Sequence, residues 1–488
     1  MPSPSPPRLT AGRRPVPTDP RALRGDAPLL DAWLRFHEEA PTPFTIPGHK
    51  QRRDLVGDVV AGDVPLYAGL DTMKLSRGVL VDAEQRAARL WGAQLCRFSV
   101  GGSTHGNQAL ALAVGRPGDR VVVARTLHRS MLLGLVLAGL VPVWVRPEVD
   151  PTHGLPVGLS PSALESVLRS TPNVRAVFVG DPSYVGTVGD VAGLAATAHR
   201  YDVPLVVDAA WGAHLGFHPA LPPHALAAGA DALVTSAHKA LPAWSQGALV
   251  LAYSRRISPG RFDAAVEATA TTSPSGAILA SIDAARALLE RDGAALLGPV
   301  VATVASVRRR LAEVSGLVVL DGPTVDPTRL VVVLPGTGAD GNAVEADLLA
   351  AGMPVEMADR DTVVAMVTLA DTPGRIEALA AALARSVDRH RGPARPVVTS
   401  GVWDVEPVCV LTPRAAFFAA RESLPVERAV GRVSAELVAP YPPGIPVLAP
   451  GEEVTLDAVE ALSAARAAGS RIAYAADPSL GTIDVVAT

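Results

Sequence analysis

The sequence predicts an α/β protein with a mostly parallel seven-stranded sheet in its large domain, a small α+β domain after it and an appended C-terminal subdomain. Three observations carry that expectation. Seven short β-branched runs recur between residues 96 and 253. Most are separated by roughly ten to twenty residues of helical periodicity, such as Asp190 to Tyr201, the alternation that marks parallel strands joined by helical crossovers. Runs such as PLVV and AVFV are apolar throughout rather than at alternate positions, as strands covered by helices on both faces require.

Residues 1–28, beginning MPSPSPPRLTAGRRPVP, read as a disordered tail, rich in proline and arginine and lacking the apolar core of a secretory leader. Residues 29–79 are expected to hold a helix over Leu29 to Glu39 and then an extended arm, because PTPFTIPGHK carries too much proline for a helix or a central strand. The large domain is placed at 80–295, with strand candidates CRFSV (96–100), RVVVAR (120–125), VPVWVR (141–146), AVFVG (176–180), PLVVDAA (204–210), ALVTSAH (232–238) and GALVLAY (247–253). The small α+β domain at 296–395 would use helices at Val301 to Glu313, Asn342 to Ala351 and Gly374 to His390, with strands at LVVL (317–320), RLVVVLP (329–335) and TVVAMVTL (362–369). Residues 396–488, which include YPPGIPVLAPGEE, form the C-terminal subdomain. No internal repeat is visible.

Composition narrows the function classes. With 44 basic and 48 acidic residues the net charge is −4, so no basic field exists to recruit a phosphate backbone, and nucleic acid is not an expected partner. The two cysteines, Cys96 and Cys409, stand too far apart in sequence for a CxxC site and suit a reducing compartment, the cytoplasm. The longest apolar run, Met131 to Val145, is interrupted by Gly134, Gly139 and Pro142 and is too short to span a bilayer, so no membrane association is expected. Only three lysines occur, Lys50, Lys74 and Lys239, so a chemistry that demands a lysine amine has few places to go.

In an open parallel sheet, ligands gather at the carboxyl ends of the strands. The first strand candidate ends in GGSTHGNQ, where Gly101, Gly102, Ser103 and Thr104 form a turn just ahead of a helix. It suits a phosphate and equally an ordinary helix cap. The fifth ends at Asp208, a buried acid or a cap for the next helix, and the sixth in SAHK, where Ser236, His238 and Lys239 meet and the lysine could equally be a solvated loop residue. Together they are what pyridoxal 5'-phosphate needs. A lysine amine bonds the aldehyde, an aspartate pairs with the ring nitrogen, and the hydroxyl turn with Ser236 holds the phosphate. Ala210, small and on the same strand face as Asp208, leaves room for a flat ring. His128, in TLHRS at another strand end, is either a structural histidine or a lid for that ring. No metal site is expected.

These segments, with PGHK (47–50), DPSYVGTVGD, VVDAAWGAHLGFHP, TSAHKALPAWSQGALV, TTSPS (271–275) and AFFAARESLPVERAVGRVSAELVAPYPPGIPVLAPGE, resemble in order and spacing the ornithine/lysine/arginine decarboxylases. The resemblance implies the aspartate-aminotransferase fold, fold type I of the pyridoxal phosphate enzymes. It makes Lys239 the Schiff-base lysine, Asp208 the partner of the ring nitrogen and His128 the stacking group, with these three the catalytic set. Ser103, Thr104, Ser236 and His238 become phosphate or cofactor contacts, and Ala210 and Trp211 border the cofactor. Thr272 and Ser273 would reach the phosphate site of a neighbouring subunit, implying a homodimer or larger homo-oligomer with shared sites. Glu452 becomes the candidate for the distal cation of a basic amino acid.

Some positions depart from the family pattern. Trp211 stands where compact members carry histidine, in DAAWGAH rather than a DEAHGAH-like string, and is more like the long members of the group. Those long members have an N-terminal wing, which residues 1–28 do not replace, so a compact form is expected. Gly101 and His105 also differ from the usual turn. The implied reaction is decarboxylation of a basic L-amino acid to its amine, toward polyamines, with arginine slightly favoured over lysine and ornithine. An aminotransferase on the same fold and a catalytically silent binding or regulatory relative are the alternatives. A cysteine desulfurase fits poorly, because neither cysteine falls on a mobile loop.

Overall fold

The computed structural model describes residues 19–39, 44–64, 70, 78–253, 255–397, 401–441 and 444–487. Its large unit contains β1 (Leu95–Ser99), β2 (Arg120–Ala124), β3 (Val141–Val145), a short ribbon of β4 (Glu148–Val149) with β5 (Pro156–Gly158), then β6 (Val174–Gly180), β7 (Leu205–Asp208), β8 (Ala232–Ser236) and β9 (Ala248–Ala252). Seven of them form one sheet in the order β1-β9-β8-β7-β6-β2-β3. Strands β3, β2, β6, β7 and β8 run parallel, whereas β9 is antiparallel to both β8 and β1. All seven expected strands are present.

The unbroken apolar runs work because successive residues serve different faces. Leu205, Val207 and Leu233 pack into one core, and Val206, Ala232 and Val234 into another on the opposite side. Each fully buried valine or leucine contributes roughly 1.5–3 kcal/mol, which an exposed face would forfeit. The helix Gly102–Val114 lies close on the second face, since a Cβ added at Gly106 would sit 2.3 Å from Val234 Cγ2.

The helix expected at Val301 to Glu313 is the end of a 37-residue helix, Gly276–Ala312, that passes from the large unit into the small one. The stretch before Val301 contains Gly293, Gly298 and Pro299. Continuous packing of Leu289, Leu297, Val300 and Val304 against two cores holds the helix through them. The boundary placed at 295/296 therefore falls inside one helix. Beyond it β10 (Val318–Val319), β11 (Arg329–Val333), β12 (Met357–Ala358) and β13 (Thr362–Met366) form an antiparallel sheet ordered β10-β11-β13-β12, backed by helices Gly341–Ala350 and Pro373–Arg389. The units are tied by His214 Nε2, which lies 3.2 Å from Asp326 Oδ1 and 3.0 Å from Thr328 Oγ1, all three residues buried.

The C-terminal part has two small strand pairs and the helix Leu456–Ala467. Arg414 Nη1 anchors it by donating to the carbonyls of Val136 and Leu137, 2.9 Å each. At the other end of the chain, order begins earlier than the tail reading of 1–28 implied. Pro20–Leu23 forms a turn of 3-10 helix, and Leu23 and Ala27 are buried. Residues 1–18 of that tail lie outside the described residues. Part of the expected extended arm, including Lys74, also lies outside them, and its described portion contains short helical turns at Arg53–Val56 and Gly57–Val60. Among the described residues no helix is long and apolar enough to cross a membrane.

Candidate active site

The carboxyl ends of β6, β7 and β8 lie side by side, with Gly180 in register with Asp208 and Asp208 with Val234. A cavity of about 520 Å³ opens over them. Ser103, Thr104, His128, Asp208, Ala210, Trp211, Ser236, His238 and Lys239 all line it. Nine side chains chosen from sequence are thus gathered at one place.

The turn after β1 forms one wall. Gly102 has φ of +68°, and a Cβ added there would meet nothing within 4 Å, so the left-handed turn rather than crowding calls for glycine. Its amide is taken by the Gln246 carbonyl at 2.8 Å. The amides that follow open a helix and have no intrahelical acceptor, which leaves them for an anion. Ser103 Oγ meets Ser236 Oγ at 2.7 Å, bringing the hydroxyls of the turn and of β8 to the same point.

Asp208 stands at the cavity floor, mostly buried. Its Oδ1 accepts from the Ala210 amide at 3.1 Å and its Oδ2 from Asn107 Nδ2 at 2.7 Å, so the carboxylate is fixed in direction. Lys239 follows β8 by three residues and places Nζ 3.5 Å from the centroid of the Trp211 ring. Burial lowers its pKa from the ordinary lysine value of 10.5, Asp208 and Glu356 oppose that shift, and Arg329 adds to it. A lysine of reduced basicity carries more of the neutral amine that attacks an aldehyde.

His128 caps the helix Arg129–Ala138. Its ring lines the cavity. Loss of water around it lowers its pKa, Asp208 raises it, and Lys239 and Arg129 lower it. His238 Nδ1 lies 2.9 Å from the Gly247 carbonyl and so carries a proton. This set fits pyridoxal phosphate: hydroxyl and amide donors that could take its phosphate, a fixed carboxylate, a lysine amine and a small alanine line one cavity.

Three expected residues are not brought to this cavity within the chain. Thr272 and Ser273 are exposed on the loop after helix Pro259–Thr269, where the Ser273 amide donates to Thr271 Oγ1 at 3.3 Å. Glu452 is 2 % exposed and already paired. Its Oε1 and Oε2 lie 2.5 and 2.7 Å from the Arg125 guanidinium, and Oε2 also accepts from the Ala449 amide. Its charge is therefore matched inside the protein and leaves none for a substrate cation in this cavity.

Sequence reasoning missed Asn107, Ser130, Asp181 and Glu356, which also line the cavity. Asn107 had a signal, standing one helical turn after Ser103 and so on the same helix face. Asp181 accepts from the Gly189 amide, and burial pushes its pKa up to about 7. Neither cysteine has the character of a nucleophile. Cys96 is buried with its thiol pKa pushed well up, and burial raises that of Cys409 to about 11.

Residues 27–338 match the family described as Orn/Lys/Arg decarboxylase, major domain, and residues 398–472 match its C-terminal domain. An arginine decarboxylase of Bacillus anthracis is 30% identical over 484 residues, covering 96% of this chain and 98% of the relative. An arginine decarboxylase of Bacillus subtilis is 30% identical over 482 residues, covering 94% and 98%. In three dimensions the lysine decarboxylase LdcF of Francisella novicida superposes with a TM-score of 0.80 at 18% identity, covering 94% of this chain and 81% of that one.

Proposed function

The chain belongs to the Orn/Lys/Arg decarboxylase family, and from that premise we propose that it converts L-arginine, in preference to lysine or ornithine, to its amine and carbon dioxide, working as a homodimer. It is a pyridoxal-phosphate-dependent amino acid decarboxylase. The observation that carries the site assignment is the meeting of Lys239, Asp208 and the Ser103–Ser236 hydroxyl pair around one cavity.

Pyridoxal phosphate supplies an aldehyde for the substrate amine and a ring that accepts the electrons left when the Cα–carboxylate bond breaks. The residues of the chain do the rest. Ser103, Ser236 and the helix N-terminus bind the phosphate. Asp208 would hold a proton at the ring nitrogen, since a carboxylate beside a cation favours the charged form. His128 and Ala210, which line the cavity, would border the ring. Lys239 would hold the cofactor by its amine and, with its lowered pKa, could supply the single proton that replaces the carboxylate at Cα. Trp211, against the Lys239 amine, would border the cofactor and the substrate.

The preference for arginine is supported by the arginine decarboxylases that match along nearly their whole length. Glu356 is an acidic group on the cavity wall within which a basic side chain would lie. Exposure of Thr272 and Ser273 outside their own chain's cavity suits contact with a second copy. The test is amine identification and carbon dioxide release from arginine, lysine and ornithine given separately, with Lys239→Ala as control. Agmatine alone, absent in the control, is the expected result. A keto acid would assign the aminotransferase alternative, and no product from any of the three would remove the basic-amino-acid reading.

A further inference from the structure

We propose that Asn107 is a positioning residue that, through Ser130, fixes His128 as a neutral ring with its proton on Nε2, so that this histidine stacks and donates a hydrogen bond but does not protonate the product carbon. The inference rests on the decarboxylase reading only for its last clause. The hydrogen-bond polarity stands by itself.

The chain of contacts has one consistent direction. Asp208 is acceptor-only as a carboxylate, and its Oδ2 lies 2.7 Å from Asn107 Nδ2. Turning the amide over would set Oδ1 against that carboxylate, so the nitrogen must face it. The amide is held by its nitrogen alone, for its buried Oδ1 has no hydrogen-bond partner among the described residues. The second N–H of Asn107 reaches Ser130 Oγ at 2.8 Å. With that oxygen accepting from Asn107, the single hydroxyl proton of Ser130 is free to point at His128 Nδ1, 2.9 Å away. The Ser130 amide also points at Nδ1, at 3.3 Å. Two donors converging on one nitrogen require a lone pair there, which places the ring proton on Nε2.

An imidazolium would place a proton on Nδ1, which forces the Ser130 hydroxyl to turn away and sets that proton against the Ser130 amide donor. The electrostatics favour the neutral form as well. His128 sits at the N-cap of the helix Arg129–Ala138, the positive end of its dipole. Of the charged groups that face it, Lys239 and Arg129 disfavour a second cation, and Asp208 alone favours one. A neutral imidazole N–H is a hydrogen-bond donor and a very weak acid, so His128 is not the source of the proton that replaces the lost carboxylate.

The test uses the full chain loaded with pyridoxal phosphate and labelled with ¹⁵N in its histidine rings, the His128 signals being assigned by their loss in His128→Gln. The expected result is an unprotonated-type shift at Nδ1 and a protonated-type shift at Nε2, unchanged between about pH 6 and pH 8. Asn107→Leu should move the Nδ1 signal toward the protonated type at the lower pH. Ser130→Ala should do the same while leaving the contact between Asn107 and Asp208, and it stands in if Asn107→Leu does not fold. Ser130→Thr, which restores the hydroxyl, should return the original pattern. A protonated Nδ1 in the parent protein, or a pattern unmoved in the variants, overturns the proposal. Loss of amine production with the histidine pattern intact would instead count against the decarboxylase reading.

Discussion

Lys239 Nζ stands 3.5 Å from the centroid of the Trp211 indole, so the amine that must be neutral to react rests on a surface that favours it charged. The two influences are separable. Burial lowers the lysine pKa, and an aromatic face over a cation opposes that by about 0.5–2 kcal/mol. Trp211→Leu keeps the apolar wall and removes the π face. It should lower the lysine pKa further and speed capture of pyridoxal phosphate by the cofactor-free chain at pH 7 about twofold to thirtyfold. Stopped-flow growth of the cofactor's visible band, followed against pH, reads this directly. A slower capture, or an unchanged pH midpoint, would mean that Trp211 acts on the lysine only as bulk.

The contact between Ser103 and Ser236 makes a second prediction. Both hydroxyls are buried at the anion end, and a hydrogen bond to a charged group contributes about 1.5–3 kcal/mol. Ser236→Ala should therefore raise the dissociation constant for pyridoxal phosphate about tenfold to a hundredfold. Pyridoxal without its phosphate should bind the variant and the parent alike. Equal losses for both ligands would place Ser236 elsewhere than at the phosphate.

Much of this site was legible because its parts sit at strand ends. The sheet runs are short, apolar and β-branched, and the strands they form put Asp208, Ser236 and Lys239 where the register of β6, β7 and β8 brings them together. Asn107 was missed although its spacing from Ser103 placed it on the same helix face. The role of Glu452 was not legible, because its partner Arg125 lies 327 positions away and the pairing of a buried charge leaves no local mark. Only the last part of the long helix Gly276–Ala312 was legible, because tertiary packing carries the helix through Gly293, Gly298 and Pro299 against local propensity.

The buried pair of Arg125 and Glu452 gives a third prediction, on stability. Their side chains are 6% and 3% exposed, and removing one partner from such a pair costs about 3–5 kcal/mol because a charge is left buried alone. Glu452→Gln should lower stability to urea by that order. Arg125→Met combined with Glu452→Leu should recover most of the loss. A Glu452→Gln protein of unchanged stability with a raised KM for arginine would instead return Glu452 to substrate binding.

Asp181 supplies the last prediction through its pH dependence. Its folded pKa is raised to about 7 by burial, against an unfolded value near that of a free aspartate, about 3.9. The folded state therefore prefers the protonated acid. Stability linked to this group is fully present below about pH 4 and is lost as pH climbs to about 7, by up to roughly 4 kcal/mol. Asp181→Asn keeps an oxygen for the Gly189 amide and has no charge to bury. In the cofactor-free chain it should raise the melting temperature at pH 8 and leave it nearly unchanged at pH 4.5. That sign follows from desolvation alone, because no cation among the described residues pairs with Asp181. If the variant instead melts lower at pH 8, the carboxylate is stabilised as an anion and its role in the cavity is that of a fixed negative charge facing the substrate.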